Sequence, residues 1–400
     1  MALARLPRSF SKLDSAMNIP IWTVFTAWLV GTAAFSVPWV SRLPSTSGLT
    51  SASRPSLTRR RATHPPLPLV CVAKSSASAE ENTAPDTSVD VAAVPLGGTT
   101  GGCVRRLYET WRWKDRNINF RVEGKENAPP VLLIHGFGAS VGHFRKNFPF
   151  LVGEGYRVYA VDLLGFGASD KPKEIEYSLE LWQEMLTDFI KEMSRDSSEQ
   201  WIVMGNSLGG LLTLMLVESL QEGRKVRAGV LFNTAGGLVS FRESELPFYF
   251  LPIKWFFDRV VFGPVCGPFF FANFRTEENV RSVLKQVYAK GEVDDELVKL
   301  LIAPSNDDGA CEVFLKVLTG PPGPTPSSLL KKIEGTKILA IWGEDDPWTP
   351  LDTGLHSGAS LYQYLDSFEL VVLPQTGHCP HDENPELCHA ALLPWLKALA

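Results

Sequence analysis

The sequence predicts the α/β class: a mostly parallel, eight-stranded sheet with helices on both faces and a helical cap inserted before the last two strands. Three observations predict it. Short apolar runs such as Val131-Leu132-Leu133-Ile134, bounded by Pro130 and Gly136, suit strands buried on both faces. Such runs alternate with helical stretches as far as Phe232, the rhythm of a parallel sheet built from strand–helix–strand crossovers. The alternation breaks over residues 238–330, which carry helical signals and no clear strand, and resumes at Lys337.

In order, extended pieces at 105–113 and 117–122 precede the strand 131–134. A helix over 143–152 and the strand 157–162 follow, then a helix near 179–194, the strand 200–204, a helix over 208–221 and the strand 226–232. After the cap come the strands 337–342 and 368–373 and a helix over about 385–399. The core therefore comprises residues 104–237 and 331–400, and the cap sits over the carboxyl edge of the sheet, where open α/β sheets bind ligands.

The first hundred residues belong to a different regime. Residues 1–79 hold nine Lys or Arg and the single acid Asp14, a net +8, so the whole-chain −5 leaves −13 for residues 80–400. So acidic a body offers no cationic stripe for a phosphate backbone, which argues against nucleic acid as a partner. The apolar run at 19–35, preceded by basic residues and ending in Gly31-Thr32-Ala33-Ala34, has the order of a secretory signal, and its length also permits a retained membrane anchor. Residues 35–79 lack Asp and Glu and are rich in Ser, Thr and Pro, a transit-peptide composition. The pairing resembles the two-part plastid targeting sequences of algae with extra plastid membranes, which makes the plastid the expected address. Residues 80–103 read as a disordered linker. The six cysteines follow neither a disulfide framework nor zinc-ligand spacing, so no metal site is expected.

The G-x-S-x-G spacing of a nucleophilic serine occurs twice, at Gly205-Asn206-Ser207-Leu208-Gly209 and at Gly138-Ala139-Ser140-Val141-Gly142. A nucleophile elbow requires strand, tight turn and immediate helix. Ser207 meets this: Trp201-Ile202-Val203-Met204 precedes it and Leu211 to Val217 follow. Ser140 does not, because five residues separate it from its strand; it reads as a helix-entry residue. The tetrahedral oxyanion of acyl transfer needs two backbone donors, assigned to Leu208 and to Phe137 in the His135-Gly136-Phe137-Gly138 turn.

The base must reach Ser207 and be held by a carboxylate. His378 follows the strand 368–373 at the catalytic edge and is the candidate; His381 and His389 lie farther along, His64 in the targeting segment, His143 on the helix after the oxyanion turn and His356 before the last strand. Among Glu344, Asp345 and Asp346 after the strand 337–342, the D-x-x-x-P spacing to Pro350 favours Asp346, with Asp345 next. The chain order Ser207, Asp346, His378 is that of the α/β-hydrolase fold. Asp162 precedes the serine and reads as support for the Gly165-Phe166-Gly167 turn. Cys379, beside His378, raises the thought of a thiol nucleophile, which its adjacency in the chain disfavours.

Eleven of the 29 residues at 246–274 are Phe, Tyr or Trp. As a group they favour a lipophilic substrate or contact with a membrane surface, for a plastid protein the thylakoid. Phe248, Phe250, Trp255, Phe256 and Phe270 are the candidate substrate contacts. Lys254, Asp258 and Arg259 interrupt the run, so it is no spanning helix.

Across roughly 104–398 the chain resembles the chloroplast α/β-hydrolases called chlorophyll dephytylases, relatives of pheophytinase. The residues that carry this are WRWKDRNINFRVEG at 111–124, LLIHGFGAS at 132–140, VYAVDLLGFGASDKP at 158–172, GNSLGG at 205–210, WGEDDPWTPLD at 342–352, GHCPHDENP at 377–385 and, more restricted, LTGPPGPTP at 318–326. The resemblance implies hydrolysis of the phytyl ester of chlorophyll or pheophytin by Ser207, Asp346 and His378 through an acyl-enzyme, without a cofactor. Another lipophilic ester would keep the chemistry and change only the cap; a ligand-binding receptor that retains a triad is the alternative of another class. Epoxide hydrolases and dehalogenases place a carboxylate at the elbow, where this chain has Ser207.

Overall fold

A computed structural model describes residues 109–238, 248–351 and 368–399. The targeting segment, the linker, residues 105–108 of the first extended piece, His64 and His356 lie outside the described residues.

Eight strands form one sheet: β1 (Glu109–Trp113), β2 (Arg116–Glu123), β3 (Pro130–Ile134), β4 (Arg157–Val161), β5 (Trp201–Asn206), β6 (Val226–Phe232), β7 (Lys337–Gly343) and β8 (Phe368–Leu373). Their spatial order is β1-β2-β4-β3-β5-β6-β7-β8. β1 and β2 pair antiparallel with each other, and β2 with β4; every pairing from β4 to β8 is parallel. The sequence expectation of a mostly parallel eight-stranded sheet holds.

The period of two places alternate residues on opposite faces. Leu132 and Ile134 of β3, Val203 of β5 and Ala340 and Trp342 of β7 enter one core cluster. Val131 and Leu133, Met204, and Leu339 and Ile341 enter the other. The helices α1 (Asn147–Gly153), α2 (Leu179–Met193) and α3 (Leu208–Leu220) cover these faces. Ser178 caps α2 by accepting the Leu181 N–H at 3.2 Å. Every residue of α3 from Leu208 to Val217 is buried, so the helix is apolar all round rather than amphipathic.

The single helix expected at 143–152 is instead a 3-10 turn, Val141–Phe144, followed by α1. Pro149 explains the break: it lacks an N–H and clashes with the preceding turn in a helix interior, but is tolerated in the first turn of a helix that begins at Asn147. Ser140 stands at the entry to the 3-10 turn in extended conformation, its side chain making no capping bond.

The cap contributes α4 (Leu251–Phe256), α5 (Gly267–Phe274), α6 (Glu277–Val287), α7 (Asp295–Ile302), α8 (Ala310–Thr319) and α9 (Pro326–Leu330), with no strand among its described residues. α10 (Pro380–Glu383) and α11 (Pro385–Lys397) close the chain. Phe262, Phe270, Phe271 and Phe314 form the cap's own small core. Phe137 packs against both that cluster and the main core, its ring centroid 5.4 Å from Phe314 and 5.9 Å from Phe166.

Candidate active site

β5 runs directly into α3 through Ser207, whose backbone stands at φ 53°, ψ −115°. For a residue with a Cβ this is a strained conformation. It is held from three sides: the Ser207 N–H donates to Phe232 O at 2.9 Å, and Ser207 O accepts from Gly210 and Ala235, each at 3.0 Å. Two glycines make the bend possible, because a Cβ at Gly205 would collide with Gly209 O and one at Gly209 with Ile134 O. The tight turn read from the sequence is thus present in its backbone angles.

The His135-Gly136-Phe137 turn lies against this elbow: a Cβ added to Gly136 would come within 3.2 Å of Ser207 Cβ. His135 fixes the turn. Its Nε2 accepts the Leu163 N–H at 3.0 Å, which leaves the proton on Nδ1 to donate to Gly136 O at 2.8 Å. Complete burial lowers its pKa, despite the charge of Asp162 nearby, and keeps the ring neutral. Among the described residues neither the Phe137 nor the Leu208 N–H has a hydrogen-bond partner. The Leu208 N–H also opens α3, where the helix dipole favours negative charge.

Asp346 is 3% exposed, whereas Glu344 and Asp345 are exposed to solvent. Only the buried carboxylate meets a histidine: Asp346 Oδ2 lies 2.8 Å from His378 Nδ1. Asn233 Nδ2 donates to Oδ2 at 2.6 Å, and the Trp348 and Thr349 N–H groups donate to Oδ1 at 2.8 and 3.1 Å. The Thr349 hydroxyl donates to Oδ2 as well. Burial alone would raise the pKa of this carboxyl, but the charge of His378 and the hydrogen bonds of His378 and Thr349 outweigh it and hold the group at about 2. Asp346 is accordingly an anion that orients His378 Nδ1–H. The opposite nitrogen, Nε2, is buried without a partner.

Three contacts bring His378 to the elbow and fix its loop. Asn206, the residue before Ser207, donates from Nδ2 to His378 O at 2.9 Å. The Gly377 N–H donates to Glu383 Oε2 at 2.6 Å, and the His378 N–H to the carbonyl of Val287, the last residue of α6 in the cap, at 2.8 Å. The next cap residue, Tyr288, donates its hydroxyl to Asp382 Oδ2 at 2.7 Å, and Arg145 Nη1 reaches Asp382 Oδ1 at 2.7 Å.

The other candidates take structural places. His381 is fully buried between the rings of His143, Phe144 and Phe232. His389 stacks on Phe150 with centroids 3.9 Å apart. His143 makes a 3.2 Å hydrogen bond with the Tyr288 hydroxyl, and burial lowers its pKa to about 4. Asp162 accepts the Val141 N–H at 2.7 Å and the Ala168 N–H at 2.8 Å, so it pins the turn as expected. Burial pushes the Cys379 thiol well above its usual range, which leaves it a neutral group facing Asn206.

The five cap aromatics are not one wall. Phe270 is buried in the cap core and Phe250 half-buried, while Phe248, Trp255 and Phe256 face solvent at 81%, 62% and 49% exposure. The residues around the site that sequence reading missed are Asn233, Thr349, Asn206 and Val287. Asn233 and Asn206 carried a signal, since each is a polar residue at the carboxyl end of a central strand. Val287 had none, because it acts through its backbone.

A strained serine between strand and helix, with a buried carboxylate–histidine pair at the ends of two later strands, defines a hydrolase of the elbow type. A model of the alpha/beta hydrolase family matches residues 131–391, and the chain belongs to that family. It is 24% identical to chloroplastic pheophytinase of Arabidopsis thaliana, over 72% of this chain and 66% of that protein, so it spans just under two thirds of that relative. It is 29% identical to 2-hydroxy-6-oxo-6-(2'-aminophenyl)hexa-2,4-dienoic acid hydrolase of Metapseudomonas resinovorans, over 68% of this chain and 85% of that protein. The crystal structure of a serine hydrolase involved in carbazole degradation superposes with a TM-score of 0.55 at 25% identity, covering 72% of this chain and 98% of that one. Among the described residues no helix is long and apolar enough to cross a membrane.

Proposed function

We propose that this hydrolase cleaves a lipophilic carboxylic ester, the phytyl ester of chlorophyll or pheophytin, in the plastid, with Ser207, Asp346 and His378 as its triad. The observation that carries the chemistry is the strained backbone of Ser207 beside the Asp346–His378 pair at 2.8 Å. Ser207 Oγ attacks the ester carbonyl while His378 Nε2 takes its proton; the oxyanion forms against the Phe137 and Leu208 N–H groups, each worth about 3–4 kcal/mol in such sites. His378 then protonates the departing alkoxide, phytol leaves, and water activated by the same nitrogen releases the pigment acid from Ser207. Asp346 stays ionised throughout and stabilises the imidazolium.

The substrate and the address rest on the likeness to chloroplastic pheophytinase, on the chlorophyll dephytylase motifs and on the transit-like composition of residues 35–79. The test is phytol release from chlorophyll a and pheophytin a, side by side, by the purified protein. Ser207→Ala should lower the rate by roughly 10⁴-fold or more with the circular-dichroism spectrum unchanged. Full activity of that variant would remove Ser207 from the mechanism. Turnover of a 2-hydroxy-6-oxo-dienoic acid but of neither pigment would replace the ester reading with that of the second relative. A fluorescent fusion of residues 1–90 that is secreted rather than plastidic would overturn the address.

A further inference from the structure

Residues 248–261 run as a 3-10 turn, α4 and one turn of π-helix, and none of the fourteen is buried. Their side chains are nevertheless among the most apolar in the chain. Phe248, Tyr249, Ile253, Trp255 and Phe256 are 48–81% exposed, and Phe269 on the adjoining α5 is 75% exposed. Ile253, Phe256 and Val260 follow the spacing of one helical face. Apolar burial elsewhere in the cap is complete without them, since Phe262, Phe270, Phe271 and Phe314 pack on one another beneath this segment. An exposed aromatic surface of this extent marks a place of contact.

The charges select the occupant. Lys254 and Asp258 pair across one helical turn with only 16% and 18% of their side chains exposed, so they neutralise each other. Arg259 is the remaining charge of residues 246–274, a net +1 in a body that is −13 over residues 80–400. A second copy of so acidic a body is repelled, whereas a neutral lipid surface is not. The stretch 251–261 is also too short to span, since roughly 20 residues are needed, and its Trp255, with Tyr249 just before it, suits the lipid–water boundary. We propose that residues 248–269 of the cap dock the enzyme on a neutral bilayer, α4 lying in the interfacial plane with its rings among the acyl chains. Phe248, Trp255 and Phe256 are then membrane contacts rather than substrate contacts. The inference rests on the lipophilic-ester reading for its purpose, delivery of a bilayer-dissolved substrate, but not for its test.

The test uses the full-length protein with Cys71, Cys103, Cys266 and Cys311 replaced by Ser and an environment-sensitive nitrobenzoxadiazole probe on Phe256→Cys. On phosphatidylcholine vesicles the probe emission should shift to the blue, persist in 0.5 M NaCl and be quenched by nitroxide on the lipid acyl chain. Adding Phe248→Ser and Trp255→Ser should lower the partition coefficient reported by that emission about tenfold or more. Three results overturn the proposal: vesicle binding with an unshifted probe, a blue shift abolished by salt, and a concentration-dependent shift without lipid, which would make the face a contact between two copies. The readout is probe emission rather than turnover, so loss of the ester-hydrolase reading and loss of the docking surface are distinguishable outcomes.

Discussion

Replacing Ser207 by Gly should make the protein more stable than replacing it by Ala, the reverse of the usual order. At φ 53°, ψ −115° any residue with a Cβ carries strain of about 1–3 kcal/mol, and Ala retains the Cβ. Glycine is at ease there and gives back about 0.5–1 kcal/mol through the greater freedom of its unfolded chain. The difference leaves Ser207→Gly ahead of Ser207→Ala by ~1 kcal/mol, which for a domain of this size is a rise in Tm of about 2–4 °C. Urea unfolding followed by tryptophan fluorescence, with refolding checked, measures it; both variants should be inactive. If Gly proves less stable than Ala, the elbow stores no strain, and the backbone argument for Ser207 fails with it.

Ser140→Ala should leave kcat/KM within about threefold of the parent, because the hydroxyl at the entry to the 3-10 turn makes no capping bond; a large loss would bring the second G-x-S-x-G match back into the chemistry. Asn233→Gly removes the 2.6 Å bond to Asp346 while tolerating the positive φ of 42°, and the loss of a hydrogen bond to a charged group, about 1.5–3 kcal/mol, should lower kcat/KM roughly 10–100-fold with the drop in kcat rather than KM. The carboxyl of Asp346 is held at about 2 against an ordinary 3.8, so it contributes ~2 kcal/mol of stability that is complete above about pH 4 and is lost as pH falls toward about 2. In Asn233→Gly that loss should be smaller and complete at a higher pH in an acid titration monitored by fluorescence, and an unchanged acid limb would separate Asn233 from the Asp346 charge.

The elements that could be read from the chain were those whose cause is local. β3, β5 and β7 are apolar runs bounded by turn residues, and the elbow needs glycines within two positions of Ser207, so both leave compact signatures. Among the three adjacent acids the spacing to Pro350 marks Asp346, and in the structure Asp346 is buried while Asp345 is exposed. What escaped is non-local or made by the backbone. Asn233 lies 113 residues from the carboxylate that it braces, and no window of sequence joins the two. Pro149 marks the break in the helix that periodicity predicts over 143–152. The aromatic run at 246–274 announced an apolar surface without saying whether it faces inward or outward, because composition is the same in both cases.

The bond from the His378 N–H to Val287 O means that the cap and the proposed base are not separable parts. Someone exchanging this lid for that of a relative, in order to redirect the hydrolase toward another substrate, would also remove the anchor of the histidine loop. Such a chimaera would forfeit turnover for reasons unrelated to fit, unless the junction were drawn upstream of Val287 so that this residue and Tyr288 stayed with the scaffold. The lid from Val287 onward is in this sense inherited together with the histidine loop.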